Sequence, residues 1–295
     1  MDKADWINGF IETERLPHSY VDLARNYFIP FADHLVTSIQ RRPREGTSLF
    51  IGVNGAQGTG KTTFAKFLSS YLIAFHDLNG SHISLDDFYL TRAERQERAS
   101  EIHPLFLVRG VPGTHDTALA ISTFEKLKTL KRDEEMILPS FDKANDDRKP
   151  EEHWPKAMGV QDFIIFEGWC VGSRPVPVSE LSASINVLEK IEDPQGIWRN
   201  AVNDYLVQDY QKLFSFIDEL IFLKAPNFTV VLEWRREQEE KIAAQHSGQS
   251  QIMSNDEVAR FIRYFERITK DNLERLPSIA DTVFEFDSTH QIISS

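Results

Sequence analysis

One cysteine, Cys170, stands in 295 residues. That excludes an internal disulfide and a zinc cluster built from cysteines. No apolar run approaches the roughly 18 residues needed to span a bilayer. Positive charge is also short: 33 Lys and Arg face 45 Asp and Glu, a formal net charge of −12. Nucleic acid and anionic membranes call for clustered positive charge, so neither is expected as a partner. The opening MDKADWINGF carries acidic residues where a secretory signal has positive charge ahead of an apolar core. Internal repeats and low-complexity tracts are absent. These absences point to a soluble cytoplasmic protein. With 41% hydrophobic and 26% charged residues, its composition supports a sizeable core, as one large α/β domain or two modest ones. An acidic chain that handles phosphate must gather its few cations into small pockets.

The first forty residues read as helical, with Val21, Leu23, Phe28 and Phe31 at apolar positions and an interruption at Pro30. Pro43 and Gly46 separate this arm (residues 1–46) from the remainder (47–295). The basic run RRPRE at 41–45 fits a helix C-terminus, where cations suit the dipole. SLFIGVN reads as a buried strand, followed by Phe64, Phe67, Leu68, Tyr71, Leu72 and Phe75 at helical spacing. HISL, MILP, FIIF, LIFL and TVFEF are further strand candidates. Continuous apolar runs suit strands covered on both faces, as in a parallel sheet. Ser254 and Glu257 form a capping box ahead of Val258, Phe261, Ile262, Phe265 and Ile268, one face of a long helix. The expected fold is therefore α/β: a doubly wound, mainly parallel sheet with helices on both faces.

At the first strand–helix junction stand Gly55, Ala56, Gln57, Gly58, Thr59, Gly60, Lys61, Thr62 and Thr63. They fit G-x-x-x-x-G-K-[ST], with a strand before and a helix after. Glycines let the backbone curl so that successive N–H groups face phosphate oxygens. The helix start adds its positive dipole end. Lys61 reaches the β- and γ-phosphates and the Thr62 hydroxyl ligates Mg²⁺. A P-loop alone does not name a function. The guanine-reading N-K-x-D of switch GTPases is missing.

SLDDFYLT, at 84–91, ends the second strand candidate, on the side where such sheets bind ligands. Asp86 and Asp87 there can coordinate Mg²⁺, take a proton from an attacking hydroxyl, or simply belong to a solvated turn. Glu167 closes the FIIF strand, where a carboxylate near the core needs a reason to be.

Here the chain resembles a known family. Ser84-x-Asp86-x-Phe88 after a P-loop is similar to the signature of uridine kinase, phosphoribulokinase and bacterial pantothenate kinase. The whole SLDDFYLT resembles D-glycerate 3-kinases of the plant and fungal type, as do RGVPGTHD (109–116), PSFDKANDDR (139–148), FIIFEGWCVG, LEWRREQEEK and MSNDEVARFIRYF. The motifs run in family order from residue 52 to about 287. Glu237 departs from the family's usual glutamine, and DKAND is shorter than in plant members.

The resemblance implies a P-loop kinase fold with a small lid around 234–254. It implies an ATP- and Mg²⁺-dependent transfer to a hydroxyl of a small polar metabolite, foremost D-glycerate. Pantothenate or nucleoside kinase activity, and a P-loop ATPase or switch acting on a partner protein, are the alternatives. By resemblance Asp86 is the base and Glu167 a Walker-B-like Mg²⁺ residue, alongside Thr62. Arg235 is the lid arginine on the moving phosphoryl, with a charged helix face as the plain alternative for Arg235 and Arg236. A hydroxy-acid carboxylate needs a cation, and Arg109, Lys143 and Arg148 are candidates. Arg109 and Arg148 are favoured because they lie in family-like motifs. Asp87, Tyr89, His115 and Trp169 complete the expected acceptor site. The protein is expected to act as a monomer or dimer.

Overall fold

A computed structural model describes residues 2–42, 47–245 and 253–295. The strands are β1 (Leu49–Gly55), β2 (Gly80–Ser84), β3 (Glu135–Ile137), β4 (Phe141–Asp142), β5 (Asp147–Arg148), β6 (Lys156–Met158), β7 (Phe163–Gly168), β8 (Glu219–Lys224), β9 (Thr282–Phe286) and β10 (Ile292–Ser294). Six of them form the main sheet in the order β10-β9-β8-β1-β7-β2. All neighbours run parallel except β10, which turns back against β9. The fold is the expected doubly wound α/β architecture.

Successive residues of the central strands feed opposite cores, as the period-two geometry of a strand requires. Leu49, Ile51 and Val53 of β1, Phe163 and Ile165 of β7, and Ile221 and Leu223 of β8 face one core. Phe50, Ile164, Phe166, Leu220 and Phe222 face the other. The first core is capped by α1 (Lys3–Glu14), α2 (Tyr20–Leu23), α3 (Ile29–Gln40) and α4 (Lys61–His76). On the second side, after α5 (Arg92–Glu101), come α6 (Thr117–Thr129), α7 (Val187–Glu192), α8 (Ile197–Tyr205) and α9 (Gln211–Phe214). The helices α10 (Phe228–Gln245), α11 (Asn255–Arg263) and α12 (Glu266–Arg275) follow β8.

The N-terminal helices share the first core with α4 and the sheet. Phe28 is buried with its ring centroid 4.8 Å from Phe64 and 5.7 Å from Phe284. The expected interruption at Pro30 does not occur. The break falls earlier, at left-handed Arg15 (φ 54), and Ala24–Phe28 wind as a π turn that delivers Pro30 into the first turn of α3. The winding is continuous from Tyr20 to Gln40, and the wide π turn just ahead of Pro30 accommodates a residue with no N–H to give. Arg41 and Arg42 do follow the end of α3; the rest of the basic run lies outside the described residues.

Two further expectations change. MILP forms β3, but it pairs antiparallel with β6 in a separate two-stranded sheet, with Ile137 exposed. The long helix after Ser254 keeps its capping box but is split into α11 and α12 at Tyr264 and Phe265. Among the described residues no helix is long and apolar enough to cross a membrane.

Candidate active site

Because β1 lies between β7 and β8, the chain leaves its C-terminal end at the crevice where the sheet's winding reverses. Gly58 and Gly60 both take φ +82, which turns the loop into the start of α4. The loop is also fastened from within: Thr59 donates to the Ala56 carbonyl through its amide (3.3 Å) and its hydroxyl (2.9 Å). Gln57, Lys61 and Thr63 are half-buried, and Thr62 is exposed. From outside, His290 Nε2 lies 2.9 Å from the Gly58 carbonyl, and the His290 ring stacks on Trp234 at 4.0 Å.

Strand register brings the second motif to this loop. Glu167, at the end of β7, stands between Val53 of β1 and Ser84 of β2. The Thr62 hydroxyl donates to Glu167 Oε1 at 2.9 Å, while Oε2 is buried with no partner among the described residues. His82 Nε2 is likewise unpartnered, 4.0 Å from Glu167 Oε1. Burial lowers the His82 pKa against the pull of Glu167, so the imidazole is neutral near pH 7.

Past β2 the chain makes one 3₁₀ turn, Leu85–Phe88. The Ser84 hydroxyl caps it by accepting the Asp86 amide (3.3 Å). Leu85 and Phe88 are fully buried, which leaves Asp86 and Asp87 toward the crevice. Lys143 donates to Asp86 Oδ2 at 2.5 Å, and the Tyr89 hydroxyl donates to Oδ1 at 2.8 Å. Burial works against ionisation of Asp86, but the charges of Lys143 and Lys61 and these hydrogen bonds outweigh it. The carboxyl is held well below the usual carboxylate range. Asp87 goes the other way. Burial, aided by the charge of Asp86, pushes it up to about 6, although it accepts the Phe141 amide at 3.3 Å.

Tyr89 stacks on His115 at 4.6 Å and meets the edge of Phe141. His115 is buried, and that burial lowers its pKa to about 3, so it is neutral. Its Nδ1 lies 2.5 Å from the Tyr210 hydroxyl, which already accepts the Gly113 amide. With the Tyr210 proton given to Nδ1, the ring hydrogen sits on Nε2, which has no partner among the described residues.

The two expected acceptor arginines are both engaged. Arg109 pairs with Asp146 and donates to the Lys143 carbonyl (3.2 Å). Arg148 donates to Asp116 Oδ2 (3.2 Å) and the Tyr89 carbonyl (3.3 Å). Trp169 is buried against Phe265, with Nε1–H on the Gly110 carbonyl (2.7 Å). Arg235 points along its own helix to Glu239 and Gln238, the charged-face alternative. Of the expected lid, around 234–254, residues 246–252 lie outside the described residues.

The structure thus brings the P-loop, Asp86, Asp87, Tyr89, His115 and Glu167 to one crevice. Lys143, a candidate for the acceptor carboxylate, is found on Asp86 instead, while His82 beside Glu167, Tyr210 behind His115 and the Trp234–His290 brace were not expected as parts of the site. Of these only His82 carried a signal, two residues before Ser84 and so on the same face of β2.

A phosphate loop on β1, a carboxylate closing β7 and a second carboxylate after β2 define a P-loop kinase. The known proteins agree. A profile for the KAP family P-loop domain matches residues 28–142. An uncharacterized kinase of Schizosaccharomyces pombe, mug58, is 33% identical over 250 residues, 79% of this chain and 84% of the relative. The chloroplastic D-glycerate 3-kinase of Arabidopsis thaliana is 34% identical over 222 residues; the match spans 72% of this chain and 45% of the plant protein. The solved D-glycerate 3-kinase of Cryptococcus neoformans superposes with a TM-score of 0.75 at 24% identity, over 90% of this chain and 97% of that one, a likeness of fold. The chain belongs to the same family of P-loop kinases as the Schizosaccharomyces pombe relative and is an ATP-dependent phosphotransferase.

Proposed function

We propose that this kinase transfers the γ-phosphoryl of ATP to the 3-hydroxyl of D-glycerate, giving 3-phosphoglycerate and ADP. The relatives' names suggest the substrate. The observation that carries the reading is the position of Asp86, ionised, under the charge of the phosphate-loop Lys61 and paired with Lys143. The acceptor oxygen attacks the γ-phosphorus, and the bond from that phosphorus to the bridging oxygen breaks. The hydroxyl proton passes late to Asp86. Gly55 to Thr63 cradle the phosphates, Lys61 offsets charge on the transferred group, and Arg235 reaches it once released from Glu239. His115 donates its Nε2–H to an acceptor oxygen.

Mg²⁺ fits the hard-oxygen pair at Thr62 and Glu167, where the unpartnered Glu167 Oε2 is an unspent donor. Among the described residues Glu167 has a free oxygen and Asp86 has none, so we assign the metal to Thr62 and Glu167, and to Asp86 the proton once its contact with Lys143 is exchanged. When bound, the ion neutralises charge on the β- and γ-phosphate oxygens. The aromatic faces favour a small acceptor over a nucleoside: Tyr89 is covered by His115, and Trp169 is tied to Gly110. In this reading residues 1–46 are an arm packed on a kinase domain of residues 47–295, whose lid spans about 234–254. The net charge of −12 fits a cytoplasmic monomer or dimer without nucleic-acid or membrane partners.

A coupled assay of ADP release from purified protein with D-glycerate, pantothenate, uridine and ribulose 5-phosphate tests the proposal. Turnover is expected with D-glycerate, with phosphorus NMR placing the phosphate on carbon 3. ADP release at background with all four, or transfer to uridine alone, overturns it.

A further inference from the structure

Asp86 cannot accept a proton as it stands, because Lys143 occupies Oδ2 at 2.5 Å and Tyr89 occupies Oδ1 at 2.8 Å. Lys143 lies in the tight turn between β4 and β5, and the backbone of that turn is fixed. Asp142 accepts the amides of Ala144 and Asn145. Asp146 is gripped by Arg95 and Arg109, and Arg109 also holds the Lys143 carbonyl. The Lys143 side chain is 61% exposed and, among the described residues, its ammonium bonds only Asp86. Arg109 and Arg148 are struts, each already spending its guanidinium on a carboxylate. Lys143 is the cation near Asp86 that can change partner without dismantling the fold.

We propose that Lys143 is an exchangeable counter-ion, locking Asp86 in the empty enzyme and moving to the carboxylate of the incoming acceptor. This rests on the hydroxy-acid reading of the site. An acceptor that brings its own carboxylate replaces Asp86 at the ammonium and frees Oδ2 for its hydroxyl. Water or a neutral polyol brings no carboxylate and leaves the base locked. One side chain thereby selects hydroxy acids and suppresses hydrolysis of ATP in their absence.

The test compares wild type with Lys143→Met and Lys143→Arg, each checked for folding by circular dichroism. Three rates are read: ADP release without acceptor, with D-glycerate, and with glycerol. A charge-assisted hydrogen bond to a carboxylate is worth about 10- to 100-fold. In Lys143→Met the KM for D-glycerate is therefore expected to rise by about that factor and the preference for D-glycerate over glycerol to fall equally. Acceptor-free ADP release should rise, and the KM for ATP should stay near wild type. Lys143→Arg is expected to recover much of the preference. A Lys143→Met enzyme with wild-type KM for D-glycerate, glycerol discrimination and hydrolysis overturns the assignment. A wild-type enzyme inactive on every carboxylate-bearing acceptor overturns the substrate reading itself, a distinguishable failure.

Discussion

Gly58 and Gly60 share the same backbone angle, φ +82, yet their surroundings differ, and that makes a controlled pair of substitutions. A Cβ on Gly60 meets nothing within 4 Å. Gly60→Ala should therefore cost only the left-handed conformation, about 1–2 kcal/mol. A Cβ on Gly58 would sit 2.6 Å from the Trp234 Cβ and 3.2 Å from its carbonyl carbon. Carbon atoms rest at about 3.5–4.0 Å, so something must move by about 1 Å. Trp234 is poorly placed to yield. It is buried, stacked on His290, and its indole N–H donates to the Ser288 carbonyl at 3.0 Å. Overpacking of this kind costs about 1–3 kcal/mol more. In a chain of this size each kcal/mol lowers Tm by about 2 °C. Thermal unfolding without nucleotide should place Gly58→Ala about 2–6 °C below Gly60→Ala. If instead the loop yields, the difference appears as a KM for ATP raised by about 5- to 100-fold in Gly58→Ala. Equal melting temperatures for the two variants, with wild-type KM for ATP in Gly58→Ala, would refute the claim that Trp234 braces the loop.

Three other substitutions probe separate parts of the site. Asp86→Asn should lower kcat about 10²- to 10⁴-fold with little change in KM for ATP, as expected when a base is lost; a kcat within fivefold of wild type removes Asp86 from that role. Glu167→Gln should raise the Mg²⁺ concentration for half-maximal rate by about tenfold or more, and an unchanged Mg²⁺ titration would count against Glu167 as a metal residue. Asp87 carries a pKa raised to about 6 in the folded state, against the ordinary aspartate value of 3.8. Its penalty is thus full above pH 6 and is relieved as pH falls toward 4, the reverse of a paired carboxylate. Asp87→Asn should stabilise the protein most above pH 6 and flatten that stretch of the stability profile, whereas a variant whose stability gain is the same at pH 4 and pH 7 contradicts it.

The parts of this protein legible in its sequence are those where local chemistry dictates residue type. Phosphate-binding loops need glycine where φ is positive and lysine at the helix start, so the segment from Gly55 to Thr62 announced itself. Apolar runs bounded by turns marked β1, β2, β7, β8 and β9 of the main sheet but not the short β10, and such a run does not say which sheet it joins. MILP looked like the others and pairs only with β6. The split between α11 and α12 was hidden because Phe261, Phe265 and Ile268 keep helical spacing across it. Side-chain partnerships were the least visible. Lys143 lies 57 residues from Asp86, and Glu167 lies 105 from Thr62, distances over which tertiary packing and not local chemistry decides who meets whom. Arg109 and Arg148 were marked by motif, yet Asp146 and Asp116 hold both, a use of positive charge that composition does not distinguish from substrate binding.

The bond between His290 and Gly58 joins positions 232 apart. During translation the glycine loop leaves the ribosome early, but its outer clasp arrives only after another two hundred residues and more. Until the β9–β10 hairpin closes, a nascent chain carries the phosphate loop unsupported on that flank. The phosphate loop's support on that side is therefore complete only once the edge of the sheet is in place.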